Sequence, residues 1–321
     1  MNLSRERLLA EAESTGFRPE VLEKVIRLLS LLNVFQRHPV LGEHLAVKGG
    51  TALNLFWFDL PRLSVDIDFN YIGTGDRTEM LADRKTVEHA VQAVCQREHL
   101  SVTRVPADHA GGKWRLRYAS ALGGSGNLEV DINFMFRIPF WPVTPMDSVA
   151  VGSYSAAGIP ILDLHELAAG KLAALFARRA SRDLFDAHQL LTRSRLDPER
   201  LRLAFVLYGG MNRRDWRTIS LDDVGCEPHE LANQLLPLLS NAIRDSLKPR
   251  WPERMVATCR ERLSELVCFS PNEAQFLDRL LDHGEVEPRL LTDDGALAAR
   301  IRAHPLLQWK ALNVQRHRAQ P

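Results

Sequence analysis

The chain has 321 residues, 45% of them hydrophobic and 25% charged, and a formal net charge of +1. This is ordinary globular composition, at a length that suits one large domain or two moderate ones. No apolar run approaches the ~18–20 residues of a membrane helix, and internal repeats and low-complexity tracts are missing, which argues against membrane-spanning helices and repetitive architectures.

The chain opens with MNLSRERLLAEAES, which is charged and lacks the apolar core of a signal peptide. Cys95, Cys226, Cys259 and Cys268 form neither a CxxC pair nor a Cys/His metal spacing. A reduced, cytoplasmic setting is the simplest expectation. Residues 3–13 and 19–34 read as amphipathic helices. HLAVKGGTALNLFWF reads as a short strand or turn at 44–48 and a helix from about Thr51. LSVDIDFNYI (63–72) alternates as a strand, GTGDRT turns, and TEMLADRKTVEHAVQAVCQREH is helical. LSVTRV, KWRLRYAS and NLEVDINFMF are strand-like, and ALGGSGN predicts a hairpin between the last two. PFWPVTP breaks the pattern, and VAVGSYS (149–155) predicts a final strand. From Asp163 onward the chain reads as helices, at 163–179, 181–192, 197–208, 229–245, 251–268, 271–282 and in pieces to about 317. The fold class is therefore α+β with a mixed sheet over 1–160, then an all-α domain over 161–321. The C-terminal stretch carries Arg300, Arg302, Lys310, Arg316 and Arg318 and no acidic residue. It is either a solvated helix face or a surface for phosphates.

Chemistry concentrates in KGGTALNLFWFDLPRLSVDID. Strand residues i and i+2 share a face, so Asp66 and Asp68 project together while Val65, Ile67 and Phe69 face the other way. Paired carboxylates are costly unless solvated, protonated or bridged by a cation. Magnesium is a hard ion that takes one or two carboxylates plus substrate phosphates. An incidental solvent-facing edge is the bland alternative. Gly49–Gly50–Thr51 at a helix start changes that balance, because it leaves N–H groups for an anion, with Thr51 able to cap the helix or donate to a phosphate. The alternative for the glycines is a tight turn. Glu129 and Asp131 share a face in NLEVDINF, and either is a candidate third carboxylate. Three carboxylates on adjacent strands suit two metals and a general base. In KLAALFARRASRDLFDAHQLL, the residues Lys171, Arg178 and Arg182 fall on one stripe of an unbroken helix. Lys171 and Arg178 are suited to phosphates, with Asp183 and Asp186 orienting them. A salt-bridged surface helix is the alternative. HELAAGK is not HExxH, and His165 reads as a helix-surface residue rather than a ligand.

These pieces, in this order, resemble the AbiEii/AbiGii family of nucleotidyltransferase toxins, which includes the mycobacterial MenT toxins. The first family motif stands here as Gly49, Gly50, Thr51 and then Ser64, Asp66, Asp68, flanked by Lys48 and Arg62. The later motif stands as Lys171, Ala174, Leu175, Arg178, Arg182, Asp183 and Asp186. Asp131 matches more loosely. The resemblance covers about residues 44–192. It implies a DNA-polymerase-β-like domain that moves a nucleoside monophosphate from an NTP and releases pyrophosphate, with magnesium or manganese. Asp66, Asp68 and Asp131 then hold metal, with Lys171 joining the chemistry. Lys48, Gly49, Gly50, Thr51, Arg62, Ser64, Arg178, Arg182 and Asp183 frame the nucleotide. The implied acceptor is the 3′ end of tRNA or another RNA, and the implied result is blocked translation, growth arrest and phage defence by a monomer held in check by a cognate antitoxin. Ser64 is a candidate for regulatory phosphorylation. Transfer to a protein side chain and non-catalytic NTP binding are the competing functions.

Overall fold

The computed structural model describes residues 3–106 and 110–319. The chain divides into two compact units. The first holds residues 1–137, 142–162 and 233–247, and the second holds 138–141, 163–232 and 248–321.

The first unit is built on β1 (Leu45–Lys48), β2 (Asp66–Tyr71), β3 (Ser101–Arg104), β4 (Gly111–Ala119), β5 (Ser125–Asn133), β6 (Thr144–Met146) and β7 (Ile159–Ile161). They form one mixed sheet in the order β3-β4-β5-β2-β1-β7-β6. The pairs β2–β5 and β1–β7 are parallel, and the other neighbours are antiparallel. Alternation fixes the faces: Ile67, Phe69, Trp114, Leu116, Val130 and Ile132 are buried, and the residues between them are polar.

Helices α1 (Arg5–Thr15), α2 (Pro19–Arg37), α3 (Pro39–His44) and α5 (Arg77–Arg97) belong to this unit, with the short α4 (Gly49–Ala52) following β1. Helix α2 starts on Pro19, whose fixed φ suits a first helical turn. It buries Val25, Ile26, Leu29, Leu32 and Phe35, the spacing of one helix stripe. It packs on β5 and β7, and Phe35 stacks on Phe69 at 5.7 Å. Glu23, on the same helix, is buried. Its carboxylate accepts from Arg27 (2.8 Å), the Ser120 hydroxyl (2.6 Å) and the Ala121 N–H (2.9 Å). One buried acid thus fastens the β4–β5 hairpin turn to the helix beneath.

Several boundaries differ from the sequence expectation. The helix after β1 begins at Gly49, with Lys48 rather than Thr51 at its cap position, and loosens into a π-helical turn over Leu53–Trp57. Strand β2 begins at Asp66, not Leu63, because the Leu63 N–H is taken by the Leu238 carbonyl (2.9 Å) and the Leu63 carbonyl by Arg62 Nη1 (2.9 Å). No strand spans 149–155; Val151 and Tyr154 make one isolated bridge around Gly152, which sits at φ 60°. The last strands are β6 and β7, where Pro145 lies opposite Pro160. Proline lacks the ladder donor, so these strands gave no strand signal. The expected helix at 229–245 is a succession of short turns interrupted at Pro237, followed by Asn241–Ser246.

The second unit is helical. Helix α6 (Leu164–Ala177) packs against α7 (Ser181–Arg193) and α8 (Pro198–Gly210). Phe176, Phe205 and Trp216 form an aromatic cluster with centroids 5.1–5.8 Å apart. Gly209 is required there, since a Cβ would stand 1.9 Å from the Trp216 ring. Glu166 on α6 is buried, accepts the N–H groups of Phe140 (2.9 Å) and Trp141 (3.1 Å), and receives the Tyr208 hydroxyl (3.2 Å). His165 is buried rather than on the surface. Its Nδ1 lies 2.9 Å from Asp163 and its Nε2 accepts the Asp197 N–H. Much of the C-terminal basic run is engaged internally: Arg300 donates to the Phe140 carbonyl, Lys310 to the Asn212 carbonyl and Arg318 to His283.

Candidate active site

The polar face of the sheet carries the carboxylates. Across the parallel β2–β5 pair, Asp68 stands opposite Asp131 and Asp66 opposite Glu129. On one flank β1 sets Lys48 opposite Asp68. On the other, β4 sets Lys113 opposite Asp131 and Arg115 opposite Glu129. Opposed residues share a face, so one row reads Lys48, Asp68, Asp131, Lys113 and the next reads Asp66, Glu129, Arg115.

The two candidates for the third carboxylate sit in different electrostatic surroundings. Glu129 is bound by Lys113 at 2.8 Å and Arg115 at 3.0 Å. The Lys113 hydrogen bond, followed by that from Arg115, outweighs burial and holds its carboxyl below the usual range. Asp131 is pushed above that range by burial and by the neighbouring Asp68 charge, with Lys48 and Lys113 opposing. The Lys48 ammonium is lowered by burial, against the pull of Asp68 and Asp131, and lies over the Phe136 ring at 5.2 Å. Negative charge is therefore poorly compensated at Asp131 and well compensated at Glu129.

The Gly-Gly-Thr turn shapes this face from one end. Gly49 takes φ 71°, and a Cβ there would come within 2.5 Å of Asp68 Oδ2. At Gly50 a Cβ would stand 2.9 Å from Arg62 Nη2 and 3.1 Å from Ser64 Oγ. The space the glycines leave is filled by the protein's own carboxylate and guanidinium. Thr51 is fully buried, with its hydroxyl against the Asp66 carbonyl and 3.0 Å from Ser64 Oγ. It staples the turn to the start of β2. Arg62 and Ser64 are also buried.

The second unit holds the other cluster. Lys171 Nζ binds Asp183 (2.8 Å) and Asp186 (3.0 Å), and Arg178 Nε binds Asp183 (2.7 Å). Burial opposes ionisation of Asp183, but Lys171 and Arg178 outweigh it and hold the carboxyl below its usual range. The single-stripe expectation for Lys171, Arg178 and Arg182 does not hold. Helix α6 ends at Ala177, Arg178 is extended at φ −149°, and Arg182 lies in the first turn of α7. The arginine side chain reaches Asp183 because the backbone leaves the helix at that point. Its side chain remains 68% exposed.

Sequence reading passed over Lys113, Arg115 and Arg117, whose signal was the alternation in KWRLR. Among the described residues, no three His, Cys, Asp or Glu side chains are gathered closely enough to cage an ion. A hard divalent cation that keeps water and takes substrate phosphate needs fewer protein ligands. The facing pair Asp68 and Asp131, with Asp66 one pleat away, fits such an ion.

Paired acids on the central strands of a mixed sheet, reached through a glycine turn, are the frame of a nucleotidyl-transferring enzyme. The chain belongs to the family described as "Nucleotidyl transferase AbiEii toxin, Type IV TA system", which it matches over residues 33–267, more than half its length. It is a nucleotidyltransferase of a toxin–antitoxin system, so an NTP is its substrate class and an antitoxin its implied partner. The fold is similar to that of the nucleotidyltransferase toxin MenT4 from Mycobacterium tuberculosis, with a TM-score of 0.65 at 18% identity over 93% of this chain and 99% of MenT4. No curated protein sequence matches the chain. No helix among the described residues is long and apolar enough to cross a membrane.

Proposed function

We propose that this enzyme transfers a nucleoside monophosphate from an NTP to the 3′ end of an RNA acceptor, tRNA foremost, and so blocks translation. The observation that carries the reading is the facing pair Asp68 and Asp131, with Asp66 beside it and Lys48 across from it. Asp66, Asp68 and Asp131 would hold magnesium or manganese, which when bound supplies charge neutralisation on the triphosphate and at the leaving pyrophosphate. Asp131, which faces Asp68 across the β2–β5 pair, takes the acceptor proton. The N–H groups at Gly49 and Gly50 orient phosphate oxygens, with Lys48 immediately before them at the helix cap. Arg62 braces the turn from within. In the second unit, Asp183 aligns Lys171 and Arg178. Chemistry of this kind rests on positioning and charge stabilisation, and the site needs no cysteine or serine nucleophile.

The test incubates the protein with total tRNA, magnesium and each labelled NTP in turn. Label in RNA from the wild type and none from Asp68→Ala is expected. Label in protein instead of RNA would overturn the acceptor assignment.

A further inference from the structure

The polar sheet face continues past the carboxylates onto β4 and β3, and its charge changes sign there. Lys113, Arg115 and Arg117 occupy alternate, exposed positions of β4. On the edge strand β3, Arg104 lies opposite Arg115 and Ser101 opposite Arg117. The β3 register shifts between Val102 and Arg104, which brings Arg104 level with Arg115. Neither strand contains an acidic residue. Glu129 is shared by Lys113 and Arg115, while Arg117 hydrogen-bonds only to the Ser125 hydroxyl among the bonds resolved for it.

This strip has a length and a direction. From Lys113 to Arg117 the strand runs about 13 Å, longer than a triphosphate reaches, with a cation at every second residue. Its inner end is Lys113, directly across from Asp131. A compact nucleotide leaves most of such a track uncovered, whereas an extended chain of phosphates covers it. We propose that the β3–β4 margin binds the phosphate backbone of the acceptor RNA, with Arg104, Arg115 and Arg117 on successive phosphates, and leads the terminal hydroxyl toward Asp131. This rests on the reading of the acceptor as RNA.

The test compares wild type with the double variant Arg104→Gln/Arg117→Gln, both exposed side chains away from the carboxylates, using total tRNA as the probe. Binding is measured without NTP over a series of salt concentrations, and transfer kinetics are measured with both substrates varied. The slope of log K against log salt should fall by about 1.4, two phosphate contacts at ~0.7 each. KM for tRNA should rise about tenfold, while KM for NTP and kcat at saturating tRNA stay unchanged. Arg104→Lys/Arg117→Lys should restore binding, because charge rather than shape is what the track supplies. An unchanged salt slope, a rise in KM for NTP instead, or a lysine pair as weak as the glutamine pair would overturn the proposal. Wild-type protein that labels no RNA at all removes the acceptor reading. Wild type that labels RNA beside an unaffected variant removes only the track.

Discussion

Asp68 on β2 and Asp131 on β5 face each other across a parallel strand pair, with Lys48 and Lys113 at the two outer ends of the same row. The row balances in formal charge, yet its two negative members are adjacent. Burial and Asp68 raise the Asp131 carboxyl. A carboxyl raised in the folded state contributes stability below its ordinary pKa, and that contribution is lost as pH rises through the raised value. At neutral pH without a divalent cation, Asp131→Asn should therefore unfold at a higher temperature than wild type. Magnesium or manganese should raise the melting temperature of wild type and leave Asp131→Asn and Asp68→Asn nearly unmoved. Both variants should lose transfer by roughly a hundredfold or more. Calorimetry with and without the cation checks the first part, and label incorporation the second.

Gly49→Ala meets two obstacles. The position lies at φ 71°, and its Cβ would press on Asp68 Oδ2. The left-handed backbone alone costs an L-residue about 1–2 kcal/mol. Displacing Asp68 should also abolish transfer. A stability loss of that size with full activity would show that Asp68 does not need its present place.

Glu166 should make the second unit sensitive to alkali. Burial, only partly offset by its hydrogen bonds from Trp141, Tyr208 and Phe140, lifts its carboxyl to about 8. Tyr208 is raised as well, by burial and by Glu166. The stabilising contribution is complete below the ordinary carboxylate pKa and disappears as pH climbs toward 8, with a limiting slope of about 1.4 kcal/mol per pH unit. Glu166→Gln should flatten the dependence of the melting temperature on pH between 5 and 9.

Removing Glu23 should strand the groups that converge on it. Glu23→Ala leaves the Ser120 hydroxyl and Ala121 N–H without their carboxylate and Arg27 without its ion pair. The expected loss is about 3 kcal/mol, the usual scale for breaking a buried pair. Denaturant unfolding checks it, and a loss within experimental scatter would show that water replaces the carboxylate.

Ser64 is buried beside Thr51 and Gly50. Ser64→Ala should retain transfer, whereas Ser64→Glu places a charge where Arg62, Thr51 and the glycine turn are packed and should lose it. Full activity in Ser64→Glu would argue against regulation by phosphorylation at this hydroxyl.

What the sequence displayed follows from what each signal depends on. The alternation around Asp66, Asp68 and Asp131, and the hairpin glycines before β5, are local properties, and the strands stand where that pattern lies. The sequence puts Asp131 and Glu129 on one face and leaves the choice between them open, because the side-chain bonds of Lys113 and Arg115 to Glu129 come from a neighbouring strand. Strands β6 and β7 were hidden by Pro145 and Pro160. The break between the helices at 163–179 and 181–192 was legible, but the stripe from Lys171 to Arg182 ignored it; the Arg178–Asp183 ion pair accompanies that break. The basic alternation of β4 was visible but had no meaning until the neighbouring strand's carboxylates were placed beside it.

Residues 233–247 belong with the sheet, although residues 138–141 and 163–232 of the helical unit come before them in the chain. The Leu63 N–H ends on the Leu238 carbonyl, and the Gly16 carbonyl accepts the Asn241 N–H. During synthesis, which proceeds from the N-terminus, these bonds are unavailable until about three quarters of the polypeptide has emerged. The ribosome thus delivers the transferase unit last-piece-late: its seven strands are made early, and the segment that completes it arrives after half of the helical unit has been made.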